Sequence, residues 1–244
     1  MLKKLYQKSE LSFAITWIVA YCLFMSVGDS LSTMLNVEKS ITFIIGLVFS
    51  VGLWLFLKRN ALMESYGLCR SKASARSMLY YLPVILLLTA NLWHGVKLNY
   101  GMTETLLYIL SMLCVGFLEE VIFRGLLFNA MRKDNLKVAV IVSSLTFGMG
   151  HIINLFNGSG AELIPNLLQV VYATFAGFMF VMMYCKTQSL VGCILIHGVF
   201  NALSVFANES VMTLQTRVWT CILLTVITGF YGVYIAWSMK KQKN

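Results

Sequence analysis

The stretch that decides the fold runs from Thr103 to Met131 and reads TETLLYILSMLCVGFLEEVIFRGLLFNAM. It exceeds the roughly 20 apolar residues that an α-helix needs to cross the hydrocarbon core of a bilayer. It also holds three ionisable side chains within six residues, namely Glu119, Glu120 and Arg124. Each charged group inside such a helix costs about 2.5–3.5 kcal/mol on insertion scales, so three together indicate a functional site.

Apolar stretches of similar length occupy most of the remaining chain. Hydrophobic residues make up 59% of the 244 positions and charged residues 12%, against about 25% charged in a soluble domain. Because only helices satisfy their own backbone in lipid, the sequence predicts an all-α, polytopic membrane bundle of about eight transmembrane helices, with residues 1–244 forming a single integral membrane domain. The predicted spans are 11–35, 41–58, 77–98, 103–131, 138–156, 163–185, 188–207 and 214–239.

The basic residues predict the orientation of these helices. With eight spans, 15 of the 19 lysines and arginines fall on the side of the two termini, and three (Lys39, Lys97 and Arg217) fall on the other. Since cytoplasmic loops carry the excess of Lys and Arg, both termini of this cell-membrane protein are predicted to be cytoplasmic. The net charge of +9 is explained in this way, and nucleic acid is excluded as a partner.

The two adjacent glutamates are predicted to have different roles. Glu120 and Arg124 are four residues apart, so they share a helix face and can pair. Glu119 lies about 100° away around the helix and is left available for chemistry. A carboxylate in a low-dielectric pocket suits a general base. The alternative is a buried ion network that only joins helices.

Two further apolar spans contain polar side chains. His151 lies one helical turn after Phe147, and His197 and Asn201 share one face four residues apart. A single membrane histidine often only joins two helices, but three helices that contribute polar groups at comparable depth indicate one site. Small residues beside these positions are expected to let predicted helices 4, 5 and 7 approach closely: Gly116, Gly125, Gly148, Gly150 and Gly198.

This set of side chains can hydrolyse an amide. Glu119 with His151 could hold and deprotonate a water, while His197 and Asn201 donate to the oxyanion. Alternatively, Glu119, His151 and His197 could bind a divalent metal such as zinc that activates the water; the residues leave this choice open. Motifs of other intramembrane proteases are missing, since HExxH does not occur and the Gly-Ser-Gly run at 158–160 is predicted to be an external turn.

Three motifs resemble, in order and helix placement, those of the CPBP family (CAAX proteases and bacteriocin-processing enzymes, also called the Abi family): Glu119-Glu120-x-x-x-Arg124, Phe147-x-x-x-His151 and His197-x-x-x-Asn201. The resemblance covers residues 77–207, the predicted core. It implies an eight-helix bundle whose site opens to the membrane and the cytoplasmic side. It also implies catalytic roles for the six polar residues: Glu119, Glu120, Arg124, His151, His197 and Asn201.

The predicted function is therefore an intramembrane endopeptidase that acts on a membrane-associated peptide or lipidated protein. Eukaryotic members of the family cleave prenylated CAAX proteins, and bacterial members are linked to bacteriocin maturation or self-immunity; these substrates are family analogy. One alternative is a non-catalytic membrane partner with an immunity or regulatory role. Another is a proton-coupled transporter, which predicts repeated halves and interrupted helices; the sequence has neither.

Overall fold

The computed structural model describes residues 2–157 and 161–241, and helix accounts for 81% of the structure. Within these two ranges no strand forms, and the β contact is a single antiparallel bridge between Val96 and Ala207. The turn predicted at 158–160 lies outside the described residues. The α-helices are α1 (Leu2–Lys8), α2 (Glu10–Met34), α3 (Ser40–Arg59), α4 (Leu82–Leu88), α5 (Met102–Glu119), α6 (Asn129–Arg132), α7 (Leu136–Gly150), α8 (Leu163–Thr187), α9 (Val191–Leu203) and α10 (Leu214–Lys241).

Six helical segments of the described chain are long and apolar enough to cross a membrane: Glu10–Met34, Ser40–Arg59, Met102–Arg132, Leu136–Leu155, Leu163–Thr187 and Leu214–Lys241. Two shorter apolar segments, Arg76–Leu92 and Val191–Phe206, occupy the third and seventh predicted spans. The prediction of an all-α, polytopic membrane bundle is confirmed. The chain is a multi-pass membrane protein.

The third span, predicted as 77–98, is broken and ends early. Its backbone turns through left-handed conformations at Leu79, Tyr80 and Tyr81, so α4 starts after a kink. Beyond Leu92 the chain is no longer helical, and Gly95 adopts a φ of 99° that side-chain-bearing residues rarely adopt. Hydropathy could not predict this, because the apolar composition continues through the kink.

Residues 102–132 form one continuous helical rod whose middle part is wider than an α-helix. Helix α5 passes at Glu120 into a π-helical segment, Glu120–Phe128, and α6 follows directly. All nine residues of the π-helical segment are buried. A helix enclosed on every side must be surrounded by other helices, so this segment forms the centre of the bundle.

Backbone contact between α5 and α9 positions the two helices that carry most of the polar residues. A Cβ added to Gly116 would lie 2.5 Å from the backbone nitrogen of Gly198. Only glycine permits such an approach, as predicted for these two positions. Gly148 similarly lets α7 contact α8, where an added Cβ would overlap Thr174. No atom lies close enough to Gly150 to need a glycine there.

The bundle has two chemically different ends. The basic end holds the start of α2, the end of α10 and the loops after Arg59 and Arg132, and its contacts include the 2.6 Å ion pair of Lys133 with Glu10. At the opposite end Lys39 forms a 2.7 Å ion pair with Asp29. Burial lowers the pKa of Lys39, but the charge and hydrogen bond of Asp29 outweigh it and hold the pKa above its usual value. Lys39 therefore stays charged at neutral pH and ties α2 to the start of α3.

Candidate active site

Glu120 and Arg124 form the fixed part of the site. The Nη1 atom of Arg124 lies 3.2 Å from Oε1 of Glu120, and both side chains are fully buried. The predicted pair at i and i+4 therefore forms, although within the π-helical segment. A buried charge left without a partner is strongly unfavourable, so each residue compensates the charge of the other.

Aromatic rings complete the surroundings of Arg124. The guanidinium carbon lies 3.9 Å from the centre of the Phe147 ring and 5.5 Å from that of Phe180. The negative face of an aromatic ring attracts a cation, most strongly where water is excluded. The three side-chain nitrogens of Arg124 find no hydrogen-bond acceptor among the described residues. Ion pairing and ring contact therefore hold this charge in place.

His197 bridges the two glutamates. Its Nδ1 lies 2.9 Å from Oε1 of Glu120, and its Nε2 lies 3.5 Å from Oε2 of Glu119. Phe180 stacks on the imidazole at 5.6 Å between ring centres, and Phe147 meets its edge at 5.5 Å. A carboxylate acceptor at Nδ1 fixes the ring and aims Nε2 at Glu119. His197 was predicted as a partner of Asn201, and its contacts with both carboxylates were not foreseen.

The side chain of Glu119 divides its two oxygens between different surroundings. Oε1 accepts a 2.6 Å hydrogen bond from the hydroxyl of Tyr21. Oε2 has no hydrogen-bond partner among the described residues. An unsatisfied buried oxygen needs an explanation, and a catalytic role or an ordered water is among the usual ones. Glu119 thus keeps one oxygen available to accept a proton.

Tyr21 and Phe147 are site residues that the sequence reasoning did not select. Tyr21 lies on α2, and its partner Glu119 is 98 residues away in sequence. It is one of 11 tyrosines, and nothing in the apolar pattern of its helix distinguishes it. Phe147 is the first residue of the second motif, but it was given no role in the site. Its ring nevertheless contacts the edges or faces of four other side chains: Phe123, Arg124, His151 and His197.

His151 enters the site from the C-terminal end of α7. Its Nδ1 lies 3.0 Å from the backbone oxygen of Phe147. Because a carbonyl only accepts, Nδ1 carries the proton and Nε2 keeps its lone pair. Asn166 donates a 2.9 Å hydrogen bond to the backbone oxygen of His151 and fixes the turn that follows. The remaining histidine, His94, lies outside this cluster, with its Nε2 2.9 Å from the hydroxyl of Thr220.

Two neighbouring spaces border these side chains. The central cavity has a volume of about 310 Å³, and Tyr21, Glu119, His151 and Asn201 line it. The apolar pocket, of about 70 Å³, is lined by His151, His197 and Asn201 together with side chains such as Leu87. Residues of all three motifs thus line the central cavity, and residues of the second and third motifs also line the apolar pocket.

The arrangement of these side chains does not fit a metal ion. Among the described residues, no group of three or more His, Cys, Asp or Glu side chains is arranged to hold a metal ion. Glu119, His151 and His197, the predicted ligands of a metal-dependent enzyme, do not form such a group in this geometry.

Comparison with known families identifies the middle of the chain. Residues 101–203 match the family described as Rce1-like, type II CAAX prenyl endopeptidase. No curated protein gives a significant match. The matched segment includes all six predicted catalytic residues. The resemblance to the CPBP intramembrane proteases is thereby confirmed, and the segment that holds the polar centre of this membrane protein is Rce1-like.

Proposed function

We propose that this protein is an intramembrane endopeptidase that uses Glu119 as its general base. One observation carries the proposal: Glu119 has one oxygen held by Tyr21 and the other without a hydrogen bond, beside a cavity inside an apolar bundle. The family match supports peptidase chemistry.

The proposed reaction begins with a water between Glu119 and His151. Glu119 takes a proton from this water while the oxygen of the water forms a bond to the carbonyl carbon of the peptide. The lone pair at Nε2 of His151 accepts a hydrogen bond from the same water and orients it. Glu119 then gives the proton to the leaving amine nitrogen as the carbon–nitrogen bond breaks, so the base is regenerated.

His197 and Asn201 are proposed to stabilise the oxyanion of the intermediate. Nε2 of His197 is aimed into the site because Nδ1 is held by Glu120 at 2.9 Å. When His197 is protonated, its charge and that of Arg124 balance the two glutamates, so the cluster is neutral. A donor to an oxyanion contributes about 2.7–4 kcal/mol where it has been measured.

The substrate is proposed to be a membrane-associated peptide or a lipidated protein, as in CAAX processing. The apolar pocket beside His197 supports this, because hydrocarbon-lined space adjoins the reacting groups. A role in bacteriocin maturation or self-immunity follows only from the wider resemblance. We also propose that both termini are cytoplasmic, since 15 of the 19 basic residues fall on the side of the termini when eight spans are counted, and that residues 1–244 form one integral membrane domain with residues 77–207 as its core.

The test is cleavage of membrane peptides by purified protein. Glu119→Gln should lower the rate by about 10²–10⁴-fold, the usual contribution of a general base. Glu104→Gln is the matched control, because Glu104 lies on the same helix and accepts a hydrogen bond from the backbone of Glu38 instead. Assays with chelator, and with zinc restored, decide the question of a metal.

Cleavage that survives Glu119→Gln would refute the proposal. A cellular phenotype that persists in the same variant would favour the non-catalytic partner.

A further inference from the structure

The central cavity continues into a second space. This vestibule has a volume of about 520 Å³, and residues such as His94, Glu162 and Arg217 line it. Seven residues line both spaces, among them Tyr108 and Tyr172. The two volumes therefore adjoin and form one passage that reaches Glu119.

Helix α2 shows the direction of this passage. Tyr21, Met25 and Asp29 line the central cavity at intervals of four residues, so they lie on one face of the helix. Eight residues of α-helix span about 12 Å. The cavity thus extends from the hydrogen bond of Tyr21 with Glu119 to the Asp29–Lys39 ion pair, which lies at the opposite end of the bundle.

Towards the basic end, the chain that follows Glu119 is tightly packed. The next residues along the chain from Glu119 belong to the π-helical segment, Glu120–Phe128, in which every residue is buried. Glu120 and Arg124 expose no side-chain surface at all. A peptide arriving from the basic end would have to displace this ion pair.

The passage is suited to a hydrated peptide. Its walls include the charged groups of Asp29, Lys39 and Glu162, and amides such as Gln169. Such groups stay hydrated when the space is empty and can hydrogen-bond to a peptide backbone when it is filled. A lipid chain would displace the water around these groups without offering a hydrogen bond in return, which is unfavourable.

We propose that the peptide to be cleaved enters from the opposite end of the bundle, through the vestibule and the central cavity. Its chemical class is an extended, hydrophilic polypeptide segment. That this peptide is a substrate rests on the proposed peptidase function, whereas the direction of access does not. Because both termini are proposed to lie in the cytoplasm, this entrance opens on the non-cytoplasmic side of the membrane. The family resemblance implied a site that opens to the cytoplasmic side instead.

Two native cysteines can test the direction of access. Cys22 lines the central cavity next to Tyr21, and Cys69 lies in the loop after α3 at the basic end. Both are partly exposed. The wild-type chain with a C-terminal tag is placed in sealed vesicles, and the side of the tag is found by protease digestion. A membrane-impermeant, cationic methanethiosulfonate is then added to one side, and modified cysteines are mapped by mass spectrometry.

Reagent on the side away from the tag should modify Cys22 and spare Cys69, and reagent on the side of the tag should do the reverse. A second variant, Ser26→Cys, places a thiol one turn closer to the entrance on the same wall. It should react from the same side as Cys22, and several-fold faster.

Modification of Cys22 from the side of the tag would overturn the proposal. So would failure to modify it from either side while the unfolded protein reacts fully. Neither result depends on catalysis, because the labelling needs no peptidase activity. If the Glu119→Gln assay refuted the peptidase function, the proposed direction of access would be unaffected. If the labelling refuted the direction of access, the peptidase function would be unaffected.

Discussion

Glu119 and Glu120 are adjacent in the chain, yet Glu120 is fully buried whereas the side chain of Glu119 keeps 13% of its surface exposed. Glu120 is held by Arg124 and by Nδ1 of His197. Glu119 is held by Tyr21 through one oxygen and lines a cavity. Glu120 is thus a fixed charge, enclosed by protein and held through Oε1, although its Oε2 has no hydrogen bond among the described residues. Glu119 is a charge that lines a cavity and remains available. We therefore expect Glu120 to matter for stability and Glu119 to matter for chemistry.

The largest expected effect is a loss of stability when the buried ion pair of Glu120 with Arg124 is broken. Arg124→Met leaves the Glu120 carboxylate buried without its cation, and breaking a buried pair in this way costs about 3–5 kcal/mol. Glu119→Gln should change the free energy of unfolding much less, because the amide oxygen can still accept from Tyr21. Unfolding by SDS in mixed micelles measures both. Equal losses would contradict the division between the two glutamates.

Removing both charges should cost less than removing one. The double variant Glu120→Gln with Arg124→Met no longer holds an uncompensated charge beside Phe147. Residues in direct contact show coupling of about 0.5–3 kcal/mol, and here the coupling should favour the double variant. A double-mutant cycle on the free energy of unfolding gives its value. Additive losses would mean that the pair is not coupled.

A smaller effect is expected where α5 meets α9. Gly116→Ala would force a methyl group against the backbone of Gly198 and push apart the helices that carry Glu120 and His197. Overpacking of this kind costs about 1–3 kcal/mol. Gly52→Ala is the matched control, because nothing lies within 4 Å of an added Cβ there. The thermal midpoint should fall for Gly116→Ala and hold or rise for the control.

The smallest effect is expected on kcat, when the hydrogen bond that holds Glu119 is removed. Tyr21→Phe keeps the ring but removes the hydroxyl that holds Oε1 of Glu119. We expect kcat to fall about tenfold, equivalent to about 1.4 kcal/mol, with KM nearly unchanged because the ring that lines the cavity stays in place. Tyr108→Phe is the control, since Tyr108 lines the same cavity but bonds Ser204. Equal kcat values in the two variants would remove Tyr21 from the site.

Short-range regularities made part of this arrangement predictable. The pairing of Glu120 with Arg124 follows from their spacing, and the occurrence of glycine at positions 116 and 198 follows from the need of neighbouring helices for small residues, although the contact between these two glycines was not predicted. Runs of apolar residues predicted the helices. These features depend on residues close in sequence or on composition alone.

Other features depend on how distant helices pack. The hydrogen bond of Tyr21 with Glu119 joins helices far apart in sequence, and no periodicity marks either end of it. The bridge formed by His197 depends on the orientation of its ring between Phe147 and Phe180. The direction of the central cavity depends on which side chains leave space unfilled. One sequence without the assembled bundle contains none of this information.

The ring of Phe147 has a consequence for spectroscopy. It touches no reacting atom, yet a guanidinium lies over its face and two imidazoles lie against it. Ring current and local electric field both change the resonance of a fluorine on such a ring. The fluorine chemical shift of a 4-fluorophenylalanine at position 147 would therefore report changes of charge in the cluster, such as protonation of His197. The groups that perform the chemistry would stay intact.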